Sequence, residues 1–361
     1  MAVDSPQVGT RGAEPEEMPR VVLTRRRVVL FVVFVLAAVA FLYFFLPKLA
    51  GLQETWNRIK EGDPAWLGVA AAFECLSFLG YVLLFRVVFV RGESKIDWRE
   101  SYEITMAGVA ATRLFAAGGA GGIALQAWAL RRSGMEARIV ACRLLAFNVL
   151  LYAIYMAALV MDGVGLRTGL LPGGRTFTVT VLPAILGAVV IGLFVLVALI
   201  PGGFERRARR WGERRGRVAR LAARLAAAPA SMASGTRTAV SLVRARDPQL
   251  GGALMWWGFD IATLWACFHA FGGAPAVPVV VMAYFVGMIG NLLPLPGGVG
   301  GVEGGMIGVF AAFHVDGGLA LVAVLSYRGF SFWLPTVPGV VAYLQLRRTV
   351  SRWEDRQPAP A

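Results

Sequence analysis

The sequence predicts an all-α polytopic membrane protein with about six full spans plus two re-entrant helical hairpins in an inverted-repeat arrangement. Three observations predict it. The chain of 361 residues is 57% hydrophobic and 16% charged, whereas soluble domains carry roughly 25% charged residues. Several nearly uncharged runs approach or exceed the ~20 residues that a helix needs to cross a bilayer. Two apolar runs are broken by glycine clusters, and the arginines gather on one side of the membrane only if the chain turns back at both breaks.

In order, residues 1–24 read as a polar, disordered cytoplasmic tail. The first membrane half covers 25–203. Arg25, Arg26 and Arg27 precede nineteen apolar residues, Val28–Leu46. Ala38-Val39-Ala40 resembles a signal cleavage site, but the apolar run continues past it, so an uncleaved first helix with its N-terminus inside is expected. Lys48–Pro64 is an outer loop. Ala65–Val90 is the second span, interrupted by Glu74 and Arg86, and Arg91, Lys95 and Arg99 follow on the inner side.

The stretch near 104–130 holds Arg113 and the cluster Gly118, Gly119, Gly121 and Gly122. If it crossed once, Ile139–Met161 and Thr178–Ile200 would carry the next segment outside. That segment, 204–249, contains twelve arginines, a gross breach of the positive-inside rule. A hairpin entered from the inner side restores the rule. In the second membrane part, 250–346, the stretch near 277–313 contains Asn291, Pro294, Pro296, Gly297, Gly298, Gly300, Gly301 and Glu303. Proline removes a backbone donor, and broken backbone survives at membrane depth only when protein or a wet cavity surrounds it. A hairpin entered from outside places Arg347, Arg348 and Arg352 of the tail, 347–361, on the inner side. The two GGxGG clusters also match at one constant offset, and an arginine in the next span follows each: Arg143 and Arg328. Paired interrupted segments of opposite topology are the plan of many transporters and point to the binding site.

The charge balance is 36 basic against 22 acidic residues, net +14. Much of the excess lies in Arg206–Arg224, where Trp211, Val218, Leu221, Ala222 and Leu225 form an apolar helical stripe between arginines. Such a helix lies along an anionic inner leaflet, or serves only to fix topology. Nucleic acid is not an expected partner, since stacking aromatics are absent apart from Trp211. Cys75, Cys142 and Cys267 all fall in apolar runs, which argues against a disulfide framework or a zinc site.

Ionisable residues inside a membrane usually face the bundle interior or a cavity. Glu303 with Arg328, and Arg113 with Arg143, are expected to line one central cavity and hold a head group, or else to be structural ion pairs. Asn291 and Tyr327 are further candidates for polar contact. Glu74, Arg86 and Asp260 read as snorkelling or structural, and His269 and His314 as interfacial. No phosphate loop, HExxH, GxSxG or paired-cysteine motif occurs, so neither catalysis, a metal nor a cofactor is expected.

The segments LPLPGGVGGVEGG and LSYRGFSFWLPTVPG resemble the C-terminal signature of the lysylphosphatidylglycerol synthase transmembrane-region family. The matching residues are Pro296, Gly297, Gly298, Gly300, Glu303, Tyr327, Arg328, Trp333, Leu334 and Pro335. The likeness covers roughly Leu67–Leu346 and is specific in the last third. In the first turn this chain has Ala117 where proline is common. The resemblance implies a lipid translocase-like membrane domain. Full-length relatives join it to a soluble aminoacyl-transferase domain, for which this chain has no room, so a stand-alone membrane part without synthase activity is expected. The expected function is a flippase or transporter in the cell membrane, multi-pass, with both termini cytoplasmic, acting on a phospholipid or lipid-linked head group. The alternative is a non-transporting accessory or scaffold protein for an envelope lipid or glycan synthase. A membrane-embedded transferase using Glu303 as a base is a third reading.

Overall fold

The structure is a computed structural model that describes residues 61–90, 96–114, 120–199, 232–292 and 298–355. The polar tail, the first span Val28–Leu46, the basic segment Arg206–Arg224 and the turn residues Gly118, Gly119, Pro294, Pro296 and Gly297 lie outside the described residues. The described helices all belong to one unit, Gly51–Ala361.

Every regular element among the described residues is helical. Helix α1 is Pro64–Phe89, started by Asp63, whose carboxylate accepts from the Ala65 amide (2.8 Å), with Pro64 in the first turn. The predicted broken segment near 104–130 forms two helices, α2 (Trp98–Leu114) and α3 (Ala120–Arg132). Helices α4 (Ala137–Thr168) and α5 (Phe177–Ala198) follow. Helix α6 covers 232–244, and α7 covers Gly252–Ala270. The second broken segment is likewise two helices, α8 (Val277–Met288, extended by a 3-10 turn Ile289–Leu292) and α9 (Gly301–Ala312). Helix α10 (Gly317–Arg328) runs through a π-turn, Gly329–Trp333, into α11 (Leu334–Asp355). The last span was expected to end near Leu346, but the helix continues through its basic end to Asp355.

Among the described residues, four helical stretches are long and apolar enough to cross a bilayer: α1, α4, α5 and the continuous Gly317–Trp353. The outer face of α5 shows what surrounds them. Leu182, Ile185, Val189, Leu193 and Leu196 recur at three- and four-residue spacing, and each is more than half exposed. An apolar stripe of that size would be an aggregation surface in water and is an ordinary lipid-facing surface in a bilayer.

The core is organised around α1 and α7, which run antiparallel. Ala70 lies opposite Thr263, Ser77 opposite Trp256 and Gly80 opposite Gly252. A Cβ on Gly80 would stand 2.7 Å from the Gly252 carbonyl oxygen, so the missing side chain lets the backbones meet, the usual basis of close helix packing in membranes. Each broken segment packs its first arm on the long helix that follows the other. Helix α8 lies on α4, where the Tyr155 hydroxyl donates to the Phe285 carbonyl and Gly163 meets Met282. Helix α2 lies on α11, where Gly339 meets Met106 and Ala110.

That second contact contains a buried charge. Glu103 is fully buried, accepts from the Thr349 hydroxyl (2.7 Å) and pairs with Arg99 (2.9 Å). Arg99 is mostly exposed, so the Thr349 bond is the interior one. Thr349→Val keeps the shape and removes the donor. Unfolding in detergent is expected to show a loss of about 1.5–3 kcal/mol, the range for hydrogen bonds to charged groups. An unchanged melting curve would mean that Glu103 finds another donor.

Candidate functional site

The site is built where the second broken segment resumes its helix. Gly298 and Gly300 have φ of +66° and +85°, a region that suits glycine and strains other residues. This turn starts α9 at Gly301 and makes Glu303 its third residue. There the carboxylate meets the positive end of the helix. Its Oε2 accepts from the Gly300 amide (2.7 Å), and its Oε1 accepts from Arg328 Nε (2.6 Å). The two side chains are 15% and 9% exposed. Arg328 ends α10, the helix directly after the hairpin, which is the pairing that the sequence predicted. A charge-assisted bond of this length is among the stronger protein contacts.

The π-turn then exposes backbone to a second arginine. Leu334 N–H closes on the Gly329 carbonyl, and Pro335 has no N–H to offer the carbonyl four residues back, that of Ser331. Arg113, near the end of α2, supplies the donors: Nη2 to Ser331 O (2.5 Å) and Nη1 to Phe332 O (3.1 Å). Phe332 stands beside both cations, its ring centroid 5.6 Å from the Arg113 guanidinium carbon and 4.8 Å from that of Arg328. Such contacts are worth about 0.5–2 kcal/mol each.

Two carboxyls complete the cluster. Glu74 in α1 and Asp260 in α7 are 3% and 5% exposed. They face each other and interact electrostatically with Arg113. Asp260 Oδ2 accepts from the Tyr284 hydroxyl (2.6 Å). Tyr327 is fully buried beside Asp260 and Tyr284, its ring 6.2 Å from that of Tyr284. Glu74 Oε2, Asp260 Oδ1, the Tyr327 hydroxyl and Ser331 Oγ are buried without a hydrogen-bond partner. Among the described residues, no three His, Cys, Asp or Glu side chains converge as a metal site would require.

Of the residues singled out from sequence, Glu303, Arg328, Arg113 and Tyr327 come together here. Arg143 does not join Arg113 as expected. It donates to the Phe89 carbonyl (2.8 Å) at the C-terminal end of α1, fifteen residues from Glu74 and thus ~22 Å along the helix. Matching glycine clusters did not imply matching depths for the arginines that follow. Asn291 lies against Gly298 across the turn, with its amide on the Met288 sulfur (3.2 Å). Gly122 packs against Gly108 and Thr112 across the first broken segment. Arg86 joins α1 to α2 through Ser101 and the Trp98 ring, and His269 stacks on Trp66. All three cysteines are free. The sequence reading of Glu74 and Asp260 was snorkelling or structural; their burial excludes snorkelling and puts both at the centre of the cluster. The signal available was a carboxylate at the middle of each of two apolar runs.

Long apolar helices, a lipid-facing surface and a charged cluster at broken backbone define a multi-pass helical membrane protein. The chain belongs to the lysylphosphatidylglycerol synthase TM region family, whose pattern it matches over residues 27–339. It is also similar to UPF0104 membrane proteins of archaea. One from Methanothermobacter thermautotrophicus is 38% identical over 88 residues, 24% of this chain and 25% of that protein. One from Methanocaldococcus jannaschii is 30% identical over 95 residues, 26% of this chain and 28% of that protein. The matched part is thus about a quarter of the length of these relatives.

Proposed function

We propose that the chain is a lipid flippase or transporter-like protein of the cell membrane that translocates a phospholipid or lipid-linked head group without altering it chemically. The observation that carries this is the Glu303–Arg328 pair at the head of a broken helix, with Arg113 lodged on the π-turn beside it. Fixed charges at interrupted helices are how many transporters bind polar substrates near the bilayer midplane.

Topology supports the same reading. Helix α9 has 12 residues, ~18 Å at 1.5 Å per residue, and is too short to cross a bilayer alone. The two broken segments act as re-entrant hairpins entered from opposite faces. The antiparallel α1–α7 pair and the reciprocal packing of α8 on α4 and α2 on α11 suit an inverted repeat. Both termini are then cytoplasmic, and Arg206–Arg224 meets the anionic inner leaflet. The head group sits on Glu303, Arg328 and Arg113 while the acyl chains stay in lipid.

Vesicles of phosphatidylethanolamine and phosphatidylglycerol containing the full chain test this with fluorescent phospholipids. Transbilayer movement above that of empty vesicles is expected. A second reading, an accessory protein for an envelope lipid synthase, is favoured by the family's description as the membrane region of a synthase. No movement of any lipid tested, together with stable co-purification of a synthase, would replace the first reading with the second.

A further inference from the structure

The Glu74–Asp260 pair has no task in the head-group site just proposed, yet it is the most deeply buried acidic group in the cluster. An ionised carboxylate only accepts hydrogen bonds. Two of them facing each other repel, and they leave Glu74 Oε2 and Asp260 Oδ1 without donors, in surroundings where an unsatisfied polar group costs several kcal/mol. A single proton between the carboxyls turns the contact into a hydrogen bond. Like-charged carboxyls that share a site share a proton for this reason. Arg113 does not serve as that donor: it bonds the Phe332 and Ser331 carbonyls, and none of its N–H groups reaches Glu74 Oε2 or Asp260 Oδ1.

An independent observation gives that proton somewhere to go. The Tyr327 hydroxyl, fully buried and without a hydrogen bond, faces Asp260 on one side and Ser331 on the other. Ser331 Oγ, also unpartnered, belongs to the residue whose carbonyl holds Arg113. Tyr327 directly precedes Arg328, the partner of Glu303. The groups facing the pair from the surrounding helices are Arg113 of α2, Cys267 of α7, Tyr284 of α8 and Tyr327 of α10. Arg328 interacts in turn with Arg113.

We infer that Glu74 and Asp260 together bind one exchangeable proton, and that its release to water, relayed by the Tyr327 and Ser331 hydroxyls, drives the Arg113, Arg328 and Glu303 group to take up or let go of the lipid head group. Proton release leaves two carboxylates against Arg113, so the charge around the head-group site changes by one unit. The coupling rests on the translocation reading. The proton site does not.

Two measurements on the full chain separate them. Infrared spectra in phosphatidylglycerol nanodiscs at neutral pH should contain the carbonyl band of a protonated carboxyl group that shifts in D2O. That band should weaken in Glu74→Gln and in Asp260→Asn, any part that persists in both belonging to another buried carboxyl such as Asp162. In the vesicle assay, a gradient of about one pH unit, a tenfold proton ratio, should change the wild-type lipid rate several-fold and leave the Asp260→Asn rate unchanged. A wild-type protein without the band overturns the inference, whether or not the variants fold. Lipid movement that ignores the gradient overturns the coupling. If no lipid moves in wild-type vesicles but the band is present and weakens in both variants, the translocation reading falls and the proton site stands; a band of unchanged strength in both variants overturns the proton site.

Discussion

Glu303→Gln is expected to abolish lipid movement and to destabilise the protein. Glutamine retains an oxygen for the Gly300 amide, since either side chain completes a capping box at this position, so the start of α9 should persist. What disappears is the negative charge 2.6 Å from Arg328 Nε. Breaking a buried pair by neutralising one member costs about 3–5 kcal/mol, because the other charge stays uncompensated. The residual exposure of 9% and 15% places the effect toward the lower end of that range. Thermal unfolding in detergent and the fluorescent-lipid assay are the two checks. A Glu303→Gln protein that melts and transports normally would remove the pair from the mechanism. The charge-reversed double variant, Glu303→Arg with Arg328→Glu, should recover part of the lost stability, which a double-mutant cycle would measure as coupling between the two positions.

The second large effect is steric. A Cβ on Gly290 would lie 2.4 Å from the Gly301 carbonyl carbon, 2.5 Å from its oxygen and 2.6 Å from the Val302 amide nitrogen. All three are backbone atoms, so no side chain can swing aside. Gly290→Ala is therefore expected to push α8 and α9 apart, with a loss at or above the ~3 kcal/mol upper end of ordinary overpacking. Gly304→Ala and Gly308→Ala supply the contrast, because added Cβ atoms there meet nothing within 4 Å. On helix propensity alone they should be neutral or stabilising by up to about 1 kcal/mol. Equal behaviour of Gly290→Ala and Gly304→Ala would mean that the two arms do not touch as described.

The parts legible in the sequence were those fixed by local chemistry. Long apolar runs gave α1, α4, α5 and α7, and the glycine clusters gave both breaks. The pairing of Glu303 with Arg328 was legible because one hairpin arm and one short helix separate them, which leaves few places for either charge to go. Glu74 and Asp260 were not legible as a pair. They meet only because α1 and α7 run antiparallel at a register set by Gly80 and Gly252, and nothing near either carboxylate records that register. The placing of Arg143 was not legible for a related reason: a repeated turn motif does not record how deep the following side chain sits. The π-turn did leave a mark. Pro335 withholds a donor from Ser331, yet which cation fills the gap depends on how α2 lies on α11.

The bonds from Arg113 to Ser331 and Phe332 span 218 and 219 residues, and that separation has a consequence for biogenesis. A ribosome feeding this chain into the membrane delivers the arginine long before the two carbonyls that hold it are made. Helix α2 must therefore wait with a cation that has not yet reached its acceptors. Its final seating can come only after Phe332 has been made, and a chain that terminates before Ser331 lacks both acceptors.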